Sequence, residues 1–426
     1  MNAKGVTKRE MKLLEGNPNY AATVVTVRNI VTLSNCDNVV ALPLLGYQAI
    51  VSKDVQVGDI GVLFTAETQL SEEYAAANNL HRHGNLNVDP STVGYLEDNR
   101  RVKALRFRGH TSNALFLPID SLSYLGSEYA SLKDGDSFDQ LAGHEICRKY
   151  VRPNQKGSAQ TQGRRRKEER VDERFFPKHT DTENYFKNVH KLNDSDFLTI
   201  TQKLHGTSIR VGHIPVKRKL SFWERVSKKF GAKIDEFEYD YVYGSRNVVK
   251  DANSDHHFYS EDLWTQEGKK LEGLLPKGYI VYGELIGWVG SDTPIQKDYT
   301  YGIPKGERHL YVYRVTTMGI DGRQTDLSWE ATKEFCSNVG LKTVPELTHG
   351  YLMNMNIERL MDRLLFLDYE GALPLPNGSV DEGVCIRREG LTPLVLKAKS
   401  PKFLEHETKM IDKEVEDIES DETEES

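Results

Sequence analysis

Cysteine is scarce in this sequence: four residues in 426, Cys36, Cys147, Cys336 and Cys385, so far apart that no C-x-x-C pair forms. That spacing suggests neither a zinc site nor a disulfide framework, and it fits reduced thiols in a cytosol-like compartment. Long apolar runs are missing as well. No stretch approaches the ~20 residues of a membrane span. The N-terminus MNAKGVTKREMKLLEG has charges with no apolar region behind them, so neither an anchor nor an export signal is expected. His81 and His83, on either side of Arg82 in a polar loop, read as solvated histidines, because a closed metal site takes about four ligands. No internal repeat is visible.

What is present is a chain with 38% apolar residues, long enough for two or three domains. Its net charge of -7 is unevenly spread. From Ile411 to Ser426 there are nine acids against one base, Lys413, a balance of -8 that leaves +1 for the rest. Residues 406–426 therefore read as an acidic, disordered tail. Residues 1–150 carry short strand-like runs, TVVTVRNI, YQAIVSK, GVLF, VKALRFR and ALFLPI, whose spacing suggests a small β-barrel, with SEEYAAANNL as a loop or short helix. Residues 151–172, with Arg164, Arg165, Arg166 and Lys167, read as a basic linker that is either solvated or set against phosphates. Residues 173–405 alternate strands with helical stretches such as WEATKEFCSNVG and NIERLMDRLLFLD, an α+β domain. The charged segment Val216 to Asp240 reads as a surface insertion.

Two K-x-x-G tetrapeptides occur, at Lys203 and at Lys228. Glycine is common enough, ~7% of residues, for such a match to arise by chance. Lys203 differs in following the strand-like FLTITQ. A lysine amine is nucleophilic only when neutral, which calls for desolvation or nearby cations. Lys397 and Lys399, two apart on an apparent strand, project from one face while Leu396 and Ala398 project from the other. Such a pair suits either a bound polyphosphate or a solvated edge strand that discourages aggregation. Glu382 and Glu284 each stand beside a glycine at a strand, as ligands for a ribose hydroxyl or hydrated metal, or as surface acids. Tyr311 and Tyr313 share a strand face, where one could stack on a purine or simply pack. Arg246, in YGSRNVV, could fork onto phosphate.

Taken in order, KLHGT, SRN, YGE, LYVYRV, EGVCIR and LKAKS resemble motifs I, the next, III, IIIa, IV and V of the covalent nucleotidyltransferases, the superfamily of ATP-dependent ligases and mRNA capping enzymes. The resemblance spans about residues 175 to 405. Two positions depart from it: His205 stands where many relatives have Asp, and Tyr313-Arg314 where F-D is common. Ligases for DNA and capping enzymes place a second barrel after motif V, but only 27 residues follow Lys399. The β-rich module lies in front, as in one family of ATP-dependent RNA ligases with an N-terminal OB module that seals nicks bearing an RNA 3′-OH. SPKF after motif V is similar to RNA ligases too.

The resemblance implies an OB-like module followed by an adenylation domain of antiparallel sheets and helices, with ATP as substrate and Mg²⁺ or Mn²⁺ as cofactor. It implies that Lys203 becomes lysyl-AMP, that AMP passes to a 5′-phosphate end, and that a 3′-OH then displaces it. Tyr313 would stack on adenine, which Thr201 and Gln202 would read. Gly206 would permit close approach, Arg246 would grip ribose or phosphate, and Lys397 and Lys399 would neutralise phosphate. Glu284 and Glu382 would hold the metal through water. The partner implied is a nicked RNA or RNA/DNA duplex, met by a monomer in the cytoplasm, or in a host's cytoplasm if a virus encodes it. The alternatives are a capping-type guanylyltransferase, a DNA ligase, or a non-catalytic nucleic-acid-binding OB protein.

Overall fold

A computed structural model describes residues 17–152, 170–179, 181–250, 262–319, 321–365, 373–375 and 379–413. The basic run at Arg164 to Lys167 and the acids from Glu414 onward lie outside the described residues. The architecture is mixed α+β, and the chain divides into two compact units. One comprises Met1–Arg152, Glu183–His190 and Lys399–Val415; the other comprises Pro153–Thr182 and Lys191–Ala398. Lys399 is thus grouped with the first unit, although its strand, Leu394–Lys399, begins in the second.

The first unit is built on a seven-stranded sheet in the order Ser137–Phe138, Ala22–Thr26, Ile60–Thr65, Ala114–Pro118, Tyr47–Ser52, Val39–Leu44, Val31–Thr32. Its two end strands are not hydrogen-bonded to each other, so the expected barrel is not closed by its ladder. Five consecutive strands nonetheless send Val25, Leu63, Phe116, Ala49 and Leu42 into one buried cluster, the interior of a curled sheet. The alternate residues, Val24, Val62 and Phe64, pack outward on Tyr74 of the short helix Glu72–Ala77 and on Leu122. Both faces are covered, which is why TVV and GVLF read as apolar runs rather than alternating ones.

Two expectations for this unit are corrected. His81 is buried, not solvated, because the Asn87 side chain bonds both its N–H and its C=O and draws the loop inward. His83, by contrast, sits outside against Asp98 at 2.8 Å. The segment read as a tail is helical through Asp412: Pro401–Asp412 is capped by Ser400, whose Oγ accepts from Phe403 N–H at 3.0 Å. The apolar residues Phe403 and Leu404 are buried on one side of it. Buried Arg101 latches this helix, donating to Glu67 at 2.6 and 2.8 Å, to Asp412 at 2.9 Å and to the Thr408 carbonyl at 3.2 Å. The composition of residues 406–412 hid this, since its two acids are paired rather than solvated: Asp412 meets Arg101 and Lys103, and Glu407 meets Lys399.

The second unit has two antiparallel-rich sheets. One runs Leu394–Lys399, Gly383–Arg388, Phe197–Lys203, Glu346–Tyr351; the other runs Phe237–Gly244, Thr207–Lys217, Tyr279–Val289, Arg308–Met318, Gln324–Asp326, with two short strands beside it. Three residues, 204 to 206, carry the chain from the first sheet into the second. The second sheet buries Ile209, Val211, Val281, Leu285, Val312 and Val315 against Trp264 on one face. Its other face carries Ile214, Ile280, Tyr282 and Tyr313 under Phe175 and Phe176. The expected helices form at Trp329–Asn338, capped by Ser328, and at Ile357–Leu365. The insertion is a prolonged hairpin: the strands reach Lys217 and restart at Phe237, and the helix Phe222–Lys229 stands between them.

Candidate active site at the crossover between two sheets

The strand Phe197–Lys203 ends where its antiparallel neighbour begins, with Lys203 paired to Gly383. Gly383 has φ +144, a conformation that disfavours a side chain, and it sets Glu382 beside the lysine. Lys203 Nζ lies 2.8 Å from Glu382 Oε1, with the two side chains 20% and 4% exposed. The other Glu382 oxygen is 3.6 Å from His205 Nδ1. A cation and a carboxylate held this deep must be closely matched to persist.

The crossover is fixed from several sides. His205 N–H donates to the Tyr301 hydroxyl at 2.7 Å, and Gln296 Nε2 donates to the Gly206 carbonyl at 3.0 Å. Glu284 accepts from Gly206 N–H at 3.0 Å and from Ser208 Oγ at 3.2 Å. A β-carbon on Gly206 would collide with the Leu285 carbonyl oxygen, so the tetrapeptide's glycine is required by close approach of the loop to a strand. The His205 ring packs edge-on against Tyr299, with centroids 4.7 Å apart. An imidazole wedged between a tyrosine and a glutamate thus occupies the position where the resemblance led one to expect Asp.

Burial pushes the Cys385 thiol up to about 11; Lys203 and Lys397 act against that rise, and Glu382 and Glu284 add to it. Lys397 and Lys399 are half-buried on one strand face, with Leu396 and Ala398 fully buried on the other, as alternation predicts. Lys399 Nζ is held by Glu407 Oε1 at 2.7 Å. Thr201 and Gln202 are buried just before Lys203. Gln202 donates to Asp381 at 2.8 Å and accepts from Leu373 N–H at 3.1 Å. Thr207 Oγ1, also buried, finds no hydrogen-bond partner among the described residues.

Tyr313 lies at a bulge: Tyr282 pairs with Arg314 and Gly283 with Val312, so Tyr313 is the extra residue. The bulge brings Arg314 over the Tyr282 ring at 4.8 Å, where it forms a fork with Asp326 at 2.5 and 3.0 Å. That is how Y-R replaces F-D here. The Tyr313 hydroxyl meets His179 Nε2 at 2.5 Å, and the rings cross edge to face. Arg246 forms an ion pair with Asp181, and its carbonyl accepts from His179 N–H at 3.1 Å. The structure therefore joins Lys203, His205, Gly206, Glu284 and Glu382 by direct contacts. Arg246 and Tyr313 are tied instead to His179 and Asp181. Lys228, the lysine of the other tetrapeptide, is paired with Glu236 on the exposed insertion helix.

Sequence reasoning missed Tyr299, Tyr301, Gln296, Ser208 and Asp381. Only Ser208 and Asp381 adjoin a recognised motif; the others come from the loop after Val289, which has no pattern of its own.

Among the described residues, no three His, Cys, Asp or Glu side chains form a metal cage. A hydrated Mg²⁺ or Mn²⁺ needs only one or two carboxylates, and the buried acids Glu284 and Glu382 both adjoin the crossover, a donor set of that kind.

The chain is similar to crystallised forms of Naegleria gruberi RNA ligase. An apo mutant is 19% identical with TM-score 0.59, covering 92% of this chain and 99% of that one. The form with PPi is 18% identical with TM-score 0.58, and a mutant with ATP and Mn is 18% identical with TM-score 0.57, both covering 92% and 99%. At such identity the likeness establishes the fold. Protein Early 65 kDa of Autographa californica nuclear polyhedrosis virus is 33% identical over 123 residues, 28% of this chain. The chain spans about a fifth (21%) of that relative's length. No helix among the described residues is long and apolar enough to cross a membrane. The family model for RNA ligase matches residues 196–399. This segment contains Lys203, Glu284, Glu382 and Lys397 and is similar to the RNA ligase family.

Proposed function

We propose that this chain is an ATP-dependent RNA ligase that joins a 3′-OH RNA end to a 5′-phosphate end through lysyl-AMP. The observation that carries the reading is Lys203, held 2.8 Å from Glu382 at the sheet crossover within the matched segment. The fold relatives support it, since Naegleria gruberi RNA ligase has been solved with ATP and Mn, with AMP and Mn, and with PPi.

In the proposed sequence the Lys203 ammonium releases a proton to solvent, and the neutral amine attacks the α-phosphorus of ATP. An N–P bond forms, the α–β P–O bond breaks, and pyrophosphate leaves with the electron pair. Glu382, against Nζ, orients the amine. Tyr301, Gln296 and Glu284 hold the loop so that little motion is needed at the moment of attack. Lys397 and Lys399 neutralise phosphate, and Thr201, Gln202 and Tyr313 face the base. Arg246 grips the ribose or the end phosphate once released from Asp181. Mg²⁺ or Mn²⁺, held through water by Glu284 and Glu382, supplies Lewis-acid neutralisation of phosphate charge when bound. AMP then passes from Lys203 to the oxygen of a 5′-phosphate, forming a phosphoanhydride, and the 3′-OH displaces AMP to close the phosphodiester.

The substrate proposed is a nick in an RNA or RNA/DNA duplex. The first unit acts as an OB-like module along the backbone, and the enzyme works as a monomer in the cytoplasm of a cell or a virus's host. Sealing of paired nicks that differ only in RNA or DNA at the 3′-OH end tests this. Preference for RNA there is expected, and equal sealing of an all-DNA nick would refute the acceptor assignment.

A further inference from the structure

The insertion between Lys217 and Phe237 takes no part in the chemistry proposed above. Its helix, Phe222–Lys229, is firmly started: Ser221 and Glu224 cap it reciprocally, and Arg218 clamps Glu224 at 2.5 Å. Yet the helix turns its large side chains outward. Phe222 is 71% exposed, Trp223 75% and Phe230 87%. At helical spacing Phe222, Val226, Phe230 and Trp223 fall on one face, and the Phe222 and Trp223 rings cross at 5.6 Å. Around them the insertion from Lys217 to Phe237 has seven cationic residues and three acids, Glu224, Asp235 and Glu236. Arg218 and Lys228 are matched by carboxylates; among the described residues Lys217, Lys219, Lys229 and Lys233 show no carboxylate within salt-bridge distance and are exposed.

Rings with open faces, set among unmatched cations, complement a chain that alternates planar bases with phosphates. We propose that this insertion binds single-stranded nucleic acid, with Phe222, Trp223 and Phe230 stacking on unpaired bases and the flanking lysines contacting phosphates. Charge complementarity selects this partner over an apolar protein surface. The helix has only two turns, and its cations lie beside the aromatic face as well as behind it, which suits a strand tracked along a surface better than a membrane plane. The strand Thr207–Lys217 separates the patch from the Lys203 crossover by roughly 30 Å at the usual rise per residue. A substrate engaged at Lys203 therefore meets the insertion only where it extends well beyond the joint. The inference rests on the RNA ligase reading for the presence of a nucleic-acid partner but not on the chemistry at Lys203.

The test uses the full chain and a labelled oligouridylate roughly 12 nucleotides long, within the usual reach of a single-strand site. Replacing Phe222, Trp223 and Phe230 by Ala should weaken binding by at least about fivefold, the lower end for loss of one stacked base. The oligonucleotide should also quench wild-type tryptophan emission more than that of Trp223→Phe. Labelling of Lys203 by ATP, where present in the wild type, should be unchanged in the triple variant, which shows that the fold is intact. Unchanged oligonucleotide affinity overturns the proposal. So does a patch that responds to anionic phospholipid vesicles but not to the oligonucleotide, or wild-type self-association that the triple substitution abolishes. If the oligonucleotide quenches Trp223 while Lys203 takes no label, the ligase reading falls and this one stands.

Discussion

Removal of a single oxygen tests how the Lys203 loop is held. Tyr301 is buried, and its hydroxyl accepts the His205 N–H at 2.7 Å, two residues past the lysine. Burial raises that phenol well above its ordinary 10, so it stays neutral and available as an acceptor throughout the assay range. Tyr301→Phe keeps the ring, but strands a part-buried backbone N–H. That costs about 1–3 kcal/mol, or roughly 2–12 °C in melting temperature for a unit of this size. If the loss is expressed in the position of Nζ, AMP transfer to the protein slows roughly 5- to 150-fold, at about 1.4 kcal/mol per factor of ten. The assays are a thermal melt and the initial rate of label transfer from ATP, with Tyr299→Phe as comparison, since its hydroxyl serves the Val380 carbonyl at 2.8 Å instead. A melt and a labelling rate both at wild-type values would refute the claim that this bond sets the loop. A lower melt with an unchanged rate would refute its role in positioning Lys203.

Other perturbations follow from the same structure. Arg101→Ala leaves Glu67 buried without its cation, so the first unit should lose about 3–5 kcal/mol, read as a lower melting temperature; wild-type stability would remove the latch from the account. Glu346 is pushed up by burial, but Lys333 at 2.7 Å, Trp329 Nε1–H at 2.7 Å and His349 outweigh this and hold it near 2 rather than the usual 4.5. A depressed carboxylate contributes stability above about 4.5 that is lost as pH falls toward about 2. Glu346→Gln should therefore flatten the acid limb of a melting-versus-pH curve, and an unaltered limb would contradict the assignment. Glu382→Ala should cut label transfer by at least about tenfold while ATP still protects the chain from melting; full activity would show that the contact with Lys203 is incidental.

The part of the site that could be read from sequence was the part made of short-range pattern. FLTITQ as a strand, and Lys397 and Lys399 opposite Leu396 and Ala398, follow from local geometry, and the structure has them so. Positions set by distant chain were not legible. Nothing around Tyr301 or Gln296 signals that they reach back some ninety residues to His205 and Gly206. Alternation placed Tyr311 and Tyr313 on one face correctly, yet gave no hint of the bulge that turns Arg314 over Tyr282. Composition misread the start of the tail, because an acid that meets buried Arg101, as Asp412 does, looks the same in sequence as one that meets water.

The most direct measurement is the site of covalent attachment. Protein incubated with ATP labelled at the α-phosphate and with Mg²⁺ or Mn²⁺, then run on a denaturing gel, should retain AMP through an acid-labile bond to Lys203. Lys203→Ala should abolish that label, and Lys228→Ala, at the other K-x-x-G, should leave it intact. Label that follows Lys228, label taken from GTP in preference to ATP, or no label on the wild-type chain would contradict the account.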